Sequence, residues 1–130
     1  MKKLITLFAL FASTSSFACG DFRNAKNDSW GGNDKAKHFA VSVPFGALGS
    51  YLARDTSHPV LYGTLIGSVP GLIKELSDGC KSNGSGFSTR DMTYNILGSL
   101  LGASLGNYTF NYYRTPTGSN GILVGYSTKF

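Results

Sequence analysis

The chain has 130 residues, a formal charge of +5, and a sequence that is 42% hydrophobic and 15% charged, with 17 glycines. That length holds one small domain and no more. The basic excess is mild and forms no arginine-rich run or basic stripe with interleaved aromatics, so nucleic acid is excluded as an expected partner.

The N-terminus reads as an export signal. Lys2 and Lys3 precede an apolar run over residues 4–12, too short to span a bilayer, and Ser16 and Ala18 supply the small residues of a cleavage site. Cleavage after Ala18 makes 1–18 a signal peptide and 19–130 a single envelope domain. Loss of the two lysines takes the formal charge from +5 to +3, a balance that suits weak attraction to anionic headgroups. Cys19, the first residue after the cut, has two readings that exclude each other. One is acylation, as in bacterial lipoproteins, although Ser16 and the bulky Phe17 depart from their usual pattern. The favoured one is a disulfide to Cys80, the other cysteine of the chain, in an oxidising compartment.

Residues 19–33 are polar and read as an extended arm. Uncharged segments follow at 39–53, 59–73 and 92–113, separated by "RDTSHP" and by "DGCKSNGSGFS". Each is expected to be a helix. Asn33 or Asp34 is expected to cap the first, and Ser88-Thr89-Arg90-Asp91 reads as a capping box for the third, with Asp in place of the usual Glu or Gln. Small residues recur every four positions: Ser42, Gly46 and Ser50; Gly63, Gly67 and Gly71; Gly98, Gly102 and Gly106. Residues four apart share a helix face, so three such rows let backbones approach closely. The second segment, with three row glycines and Pro70, carries a propensity penalty of roughly 6 kcal/mol, which close packing in protein or lipid must offset. The first two segments fall short of the ~20 residues that span a hydrocarbon core. They suit either a water-soluble bundle with greasy helices or one partly seated in a membrane. After "TPTGSNG", Ile122, Val124, Tyr126 and Phe130 alternate in part, as a short strand or an extended docked tail would. The expected fold is all-α: three glycine-rich packed helices, up-down-up, with an extended arm and a strand-like tail.

Short connections bring the start of the first helix, the end of the second and the start of the third to one end. Asp34, His38, Lys74, Glu75, Asp78, Asp91 and Asn95 are therefore expected to cluster. The cluster has three readings: a buried structural network, a divalent-cation site, or an acid–base pair centred on His38. Nothing matches a nucleophile elbow, a P-loop, a zinc motif or an EF-hand, so no cofactor or metal is assigned.

The ordered blocks "WGGNDKAKHFAVS", "GLIKELSD" and "GSGFSTRDMTYNILG" resemble the YfiM-like family of small predicted periplasmic lipoproteins over residues 30–106. A looser likeness links the same order of Asp-Lys-His, acidic helix end and Asp-Asn-Gly to VanZ-like membrane proteins. The resemblance implies an exported, periplasmic, membrane-associated envelope protein of unassigned activity, and it carries over no catalytic residue. The first expectation is a non-enzymatic structural or interaction module whose partner is membrane lipid or an envelope protein. The alternative is an envelope enzyme, hydrolase- or transferase-like, acting on a lipid headgroup or other envelope molecule through His38 with Glu75, Asp78 or Asp91. Oligomeric state is not legible in the sequence.

Overall fold

A computed structural model describes residues 19–126. The expected signal segment 1–18 and Phe130 of the tail lie outside the described residues. Three helices, α1 (Asn33–Leu52), α2 (Pro59–Cys80) and α3 (Thr89–Leu105), pack pairwise on one another in an up-down-up bundle. They are followed by an antiparallel hairpin, β1 (Tyr108–Arg114) and β2 (Asn120–Tyr126), whose register sets Tyr108 opposite Tyr126 and Arg114 opposite Asn120. The expected architecture of three packed helices with a strand-like tail is the one observed.

The small-residue rows are the seams of the bundle. A Cβ added at Gly63 would lie 2.6 Å from the Ser50 amide nitrogen, and one at Gly67 2.5 Å from that of Gly46. Added at Gly98, Gly102 or Gly46, it would run into the carbonyl oxygen of Phe39, Val43 or Ser99 respectively. Backbone thus meets backbone across both the α1–α2 and the α1–α3 seams. The dispersion gained from that approach offsets the poor helix propensity of glycine.

Three local expectations need correction. Neither Asn33 nor Asp34 caps α1; the N-cap is Gly32, without a side-chain bond, and Asp34 sits in the first turn. The segment 92–113 is not one helix. It breaks at Gly106, after which β-branched and aromatic residues take the chain into β1. Asn107 closes the break: its amide donates to the Ala103 carbonyl at 3.0 Å and to Ser50 Oγ at 3.1 Å. The third correction concerns the capping box. Ser88 Oγ accepts the Asp91 amide at 3.0 Å, as expected, but the Ser88 amide donates to Glu75 Oε2 at 2.8 Å and not to Asp91.

The arm is held rather than free. Cys19 is bonded to Cys80 at the end of α2, with a Cα–Cα separation of 4.9 Å, which leaves Cys19 no thiol to acylate. Backbone bonds tie Arg23 to Gly79 and Phe87, and Ala25 to Phe87.

Polarity is inverted relative to an ordinary soluble domain. Among the described residues the buried hydrophobic side chains are Ala53, Val60 and Ala103, whereas Lys35, Glu75, Asp91 and Asn95 are all buried. Leucines, by contrast, line the outside. No described helix is long and apolar enough to cross a membrane; the inward faces of Gly, Ser and charged residues keep the average hydropathy of each helix low.

Candidate functional site

The polar end of the bundle is assembled from four segments. On α1, Lys35, His38 and Ser42 lie at offsets of three and four, so they share the face turned inward. Glu75 projects from the last turns of α2 at 0% exposure, and Asp91 and Asn95 from the first turns of α3. The docked arm adds Asp28.

His38 is the centre. Its Nδ1 lies 3.1 Å from Asn95 Oδ1, which also accepts the Ser42 hydroxyl at 2.9 Å. Its Nε2 lies 3.5 Å from Glu75 Oε1 and 3.5 Å from Asp91 Oδ2, beyond the usual range of an N–H···O bond. The three side chains, all buried, offer ligand atoms within 4.8 Å of one another.

Lys35 is the buried cation of the site, 2.5 Å from Asp28 Oδ1, 2.6 Å from Asp91 Oδ1 and 2.9 Å from Asp34 Oδ2. Burial alone would lower its pKa, but hydrogen bonds to Asp28, Asp91 and Asp34 outweigh that and hold it well above the usual lysine range. The same bonds act on the acids. Asp28 is raised by burial, yet Lys35, Ser88 and Arg90 bring it below the ordinary carboxylate range. Asp34 is lowered chiefly by its hydrogen bond to Lys35. Arg90 donates to the Asp28 carbonyl, and Ser88 Oγ to Asp28 Oδ2 at 2.5 Å.

Every residue of the expected cluster reaches this end, but not equally. His38, Glu75, Asp91 and Asn95 form the buried interior. Asp34 is on the rim, its side chain 57% exposed. Lys74 and Asp78 form a second rim pair at 3.0 Å, and Lys74 also contacts Glu75 Oε1 at 2.8 Å. Asp28 and Lys35 were not among the expected site residues. The offset of three to His38 marks Lys35 in the sequence; Asp28 has no local signal, since docking of the arm brings it in. A cleft of about 320 Å³ adjoins the site, lined by His38, Ser42, Lys37, Pro70, Lys74 and Asn95, among others.

Comparison with known families, with curated proteins and with solved structures gives no match for this chain.

Proposed function

We propose that this chain is an exported, membrane-associated protein of the cell envelope, working as a structural or interaction module with the outer faces of its helices against lipid. One observation carries the reading: large apolar residues are exposed on every helix. They include Val41 and Leu48 on α1, Leu61 and Leu65 on α2, and Leu97 and Leu100 on α3. A protein partner would cover one side of such a bundle, whereas acyl chains surround it. The stretches 39–53, 59–73 and 92–105 carry no charge. At 1.5 Å per residue they make a belt about 20 Å high, less than the ~30 Å hydrocarbon core, which suits seating in the bilayer without a full crossing. Lys37 lies on the wall of the cleft at the polar end, where anionic headgroups would attract it. The Cys19–Cys80 disulfide suits an oxidising compartment, and the resemblance to YfiM-like lipoproteins points to the same envelope location.

The test is flotation with vesicles of phosphatidylethanolamine and phosphatidylglycerol. The mature chain is expected to float, and Leu48→Glu with Leu65→Glu and Leu100→Glu to leave it in the aqueous fraction. A wild-type chain that stays in buffer as a monodisperse monomer or oligomer overturns the reading.

A second reading, an enzyme acting on a lipid headgroup, is favoured by the position of His38 at the wall of the 320 Å³ cleft with carboxylates behind it. Under that reading His38→Ala abolishes the cellular phenotype of the chain while its fold persists; loss of fold together with phenotype rejects it.

A further inference from the structure

We propose that His38 Nε2, Glu75 Oε1 and Asp91 Oδ2 form a binding site for one divalent transition-metal ion, with zinc the best fit. The inference is independent of the membrane reading.

It starts from the proton on the imidazole. Asn95 Nδ2 faces the Met92 thioether at 3.7 Å, a weak acceptor with no hydrogen to give, so this end of the amide is the donor. The other end, Oδ1, accepts from Ser42 Oγ and also faces His38 Nδ1. Nδ1 must therefore carry a hydrogen. In the neutral ring Nε2 is then a bare lone pair, on a side chain only 8% exposed, aimed at two carboxylate oxygens. A lone pair facing two anions in a buried place calls for a positive charge between them, which either a proton on Nε2 or a bound cation supplies.

The distances identify what fits. Both Nε2–oxygen separations are 3.5 Å, long for a hydrogen bond. Ligand atoms around a tetrahedral ion with bonds of about 2.1 Å stand about 3.4 Å apart. One imidazole nitrogen with two carboxylates suits zinc and its neighbours. Calcium, which takes six to eight oxygens at ~2.3–2.6 Å, does not suit it. The second nitrogen, bound to an amide oxygen that is itself held by Ser42, is the outer-shell support that metal-bound histidines use.

Formal charge agrees. Five carboxylates, Asp28, Asp34, Glu75, Asp78 and Asp91, share two lysines, Lys35 and Lys74, in their ion pairs. Arg90, held against Asp28, is a third cation. With the His38 ring neutral, and with Lys37 on the cleft wall outside these pairs, two negative charges remain, which one divalent ion would balance. Lys35 occupies Asp91 Oδ1 and leaves Oδ2 for the metal; the Ser88 amide occupies Glu75 Oε2 and leaves Oε1. The competitor is Lys74, 2.8 Å from Glu75 Oε1, but its side chain is 49% exposed and can swing into solvent. It also lines the neighbouring cleft, so its movement opens the way in. Asn95 is a positioning residue that fixes the ring.

The test is zinc uptake by the untagged mature chain with its disulfide intact. It is measured by equilibrium dialysis with elemental analysis, and by the visible spectrum of the cobalt-substituted protein. One zinc per chain is expected, undisturbed by excess calcium. His38→Asn should lose it, His58→Ala should retain it, and Asn95→Ala should weaken it by about 10- to 100-fold. Lys74→Gln keeps all three donors and removes the competing cation, so it should bind zinc more tightly than the wild type. No stoichiometric zinc in the wild-type chain, uptake unchanged in His38→Asn, or weaker uptake in Lys74→Gln would each overturn the site. Should His38→Asn fail to fold, the Lys74→Gln comparison still decides.

Discussion

Glu75 completes the cap of a helix to which it does not belong. Its Oε2 accepts the Ser88 amide at 2.8 Å, while Ser88 Oγ accepts from Asp91 at 3.0 Å. The α3 sequence supplies half of a capping box, and α2 supplies the rest from a fully buried position. Asp91, released from the capping role, turns to Lys35 and His38. The helix start and the candidate site are thus one structure.

Glu75→Ala removes the acceptor for Ser88 and one carboxylate beside His38 and Lys74. We expect a loss of about 3–5 kcal/mol, the usual cost of breaking a buried ionic network from one side. Glu75→Gln keeps an acceptor for the amide and should cost clearly less. Urea unfolding in chelator-treated buffer measures both; equal losses would mean that the cap contributes nothing.

The seams make an opposite demand from helix propensity. Alanine is the better helix former by about 1 kcal/mol, yet at Gly102 its methyl would strike the Val43 carbonyl oxygen. Gly102→Ala should therefore destabilise by roughly 1–3 kcal/mol or more. Gly31→Ala, with nothing within 4 Å of the new atom, should stay within about 0.5 kcal/mol of wild type. Equal melting temperatures for the two variants would remove backbone-to-backbone packing from the account.

The seams were legible because a period of four is a local property of helical sequence. The same periodicity carried His38, Glu75, Asp91 and Asn95 to one end once short loops fixed the up-down-up order. Asp28 was not legible: its place depends on the arm docking against Gly79 and Phe87, a contact no local pattern encodes. The end of α3 was missed because residues 92–113 lack charge throughout. The signal there is a change of residue type, from Leu, Gly and Ala to Tyr, Thr and Phe, with Asn107 at the boundary. The α1 cap failed for another reason. The helix already begins at Asn33, so the capping position falls on Gly32 and Asp34 lies inside the first turn.

Ser99 is fully buried and its hydroxyl has no hydrogen-bond partner among the described residues. Ser99→Ala removes a desolvated polar atom from a tight seam and should leave stability unchanged or raise it by up to about 1 kcal/mol. Ser42→Ala, which deletes the 2.9 Å bond to Asn95, should lower stability by about 1 kcal/mol. Thermal unfolding of the pair is the check, and a reversed order would contradict the assigned hydrogen bonds.

Acid should loosen the polar end. The folded-state pKa of Asp28 lies below its unfolded value. Its contribution is therefore complete above about pH 4, the ordinary carboxylate pKa, and is lost as pH falls through the folded value. The urea midpoint should drop as pH falls below about 4, and Asp28→Asn should flatten that drop. An Asp28→Asn profile parallel to wild type would show that this carboxylate is not coupled to folding.

The central claim is that lipid covers the outer faces of the helices. Trp30, 55% exposed beside Arg90 and Tyr94 at the polar end, is the single tryptophan of the chain. Trp30→Phe with Leu100→Trp moves that fluorophore to the middle of the apolar belt. In vesicles whose acyl chains carry bromine, we predict strong quenching of tryptophan at position 100 and weak quenching at position 30. Equal, negligible quenching at both positions would contradict the claim.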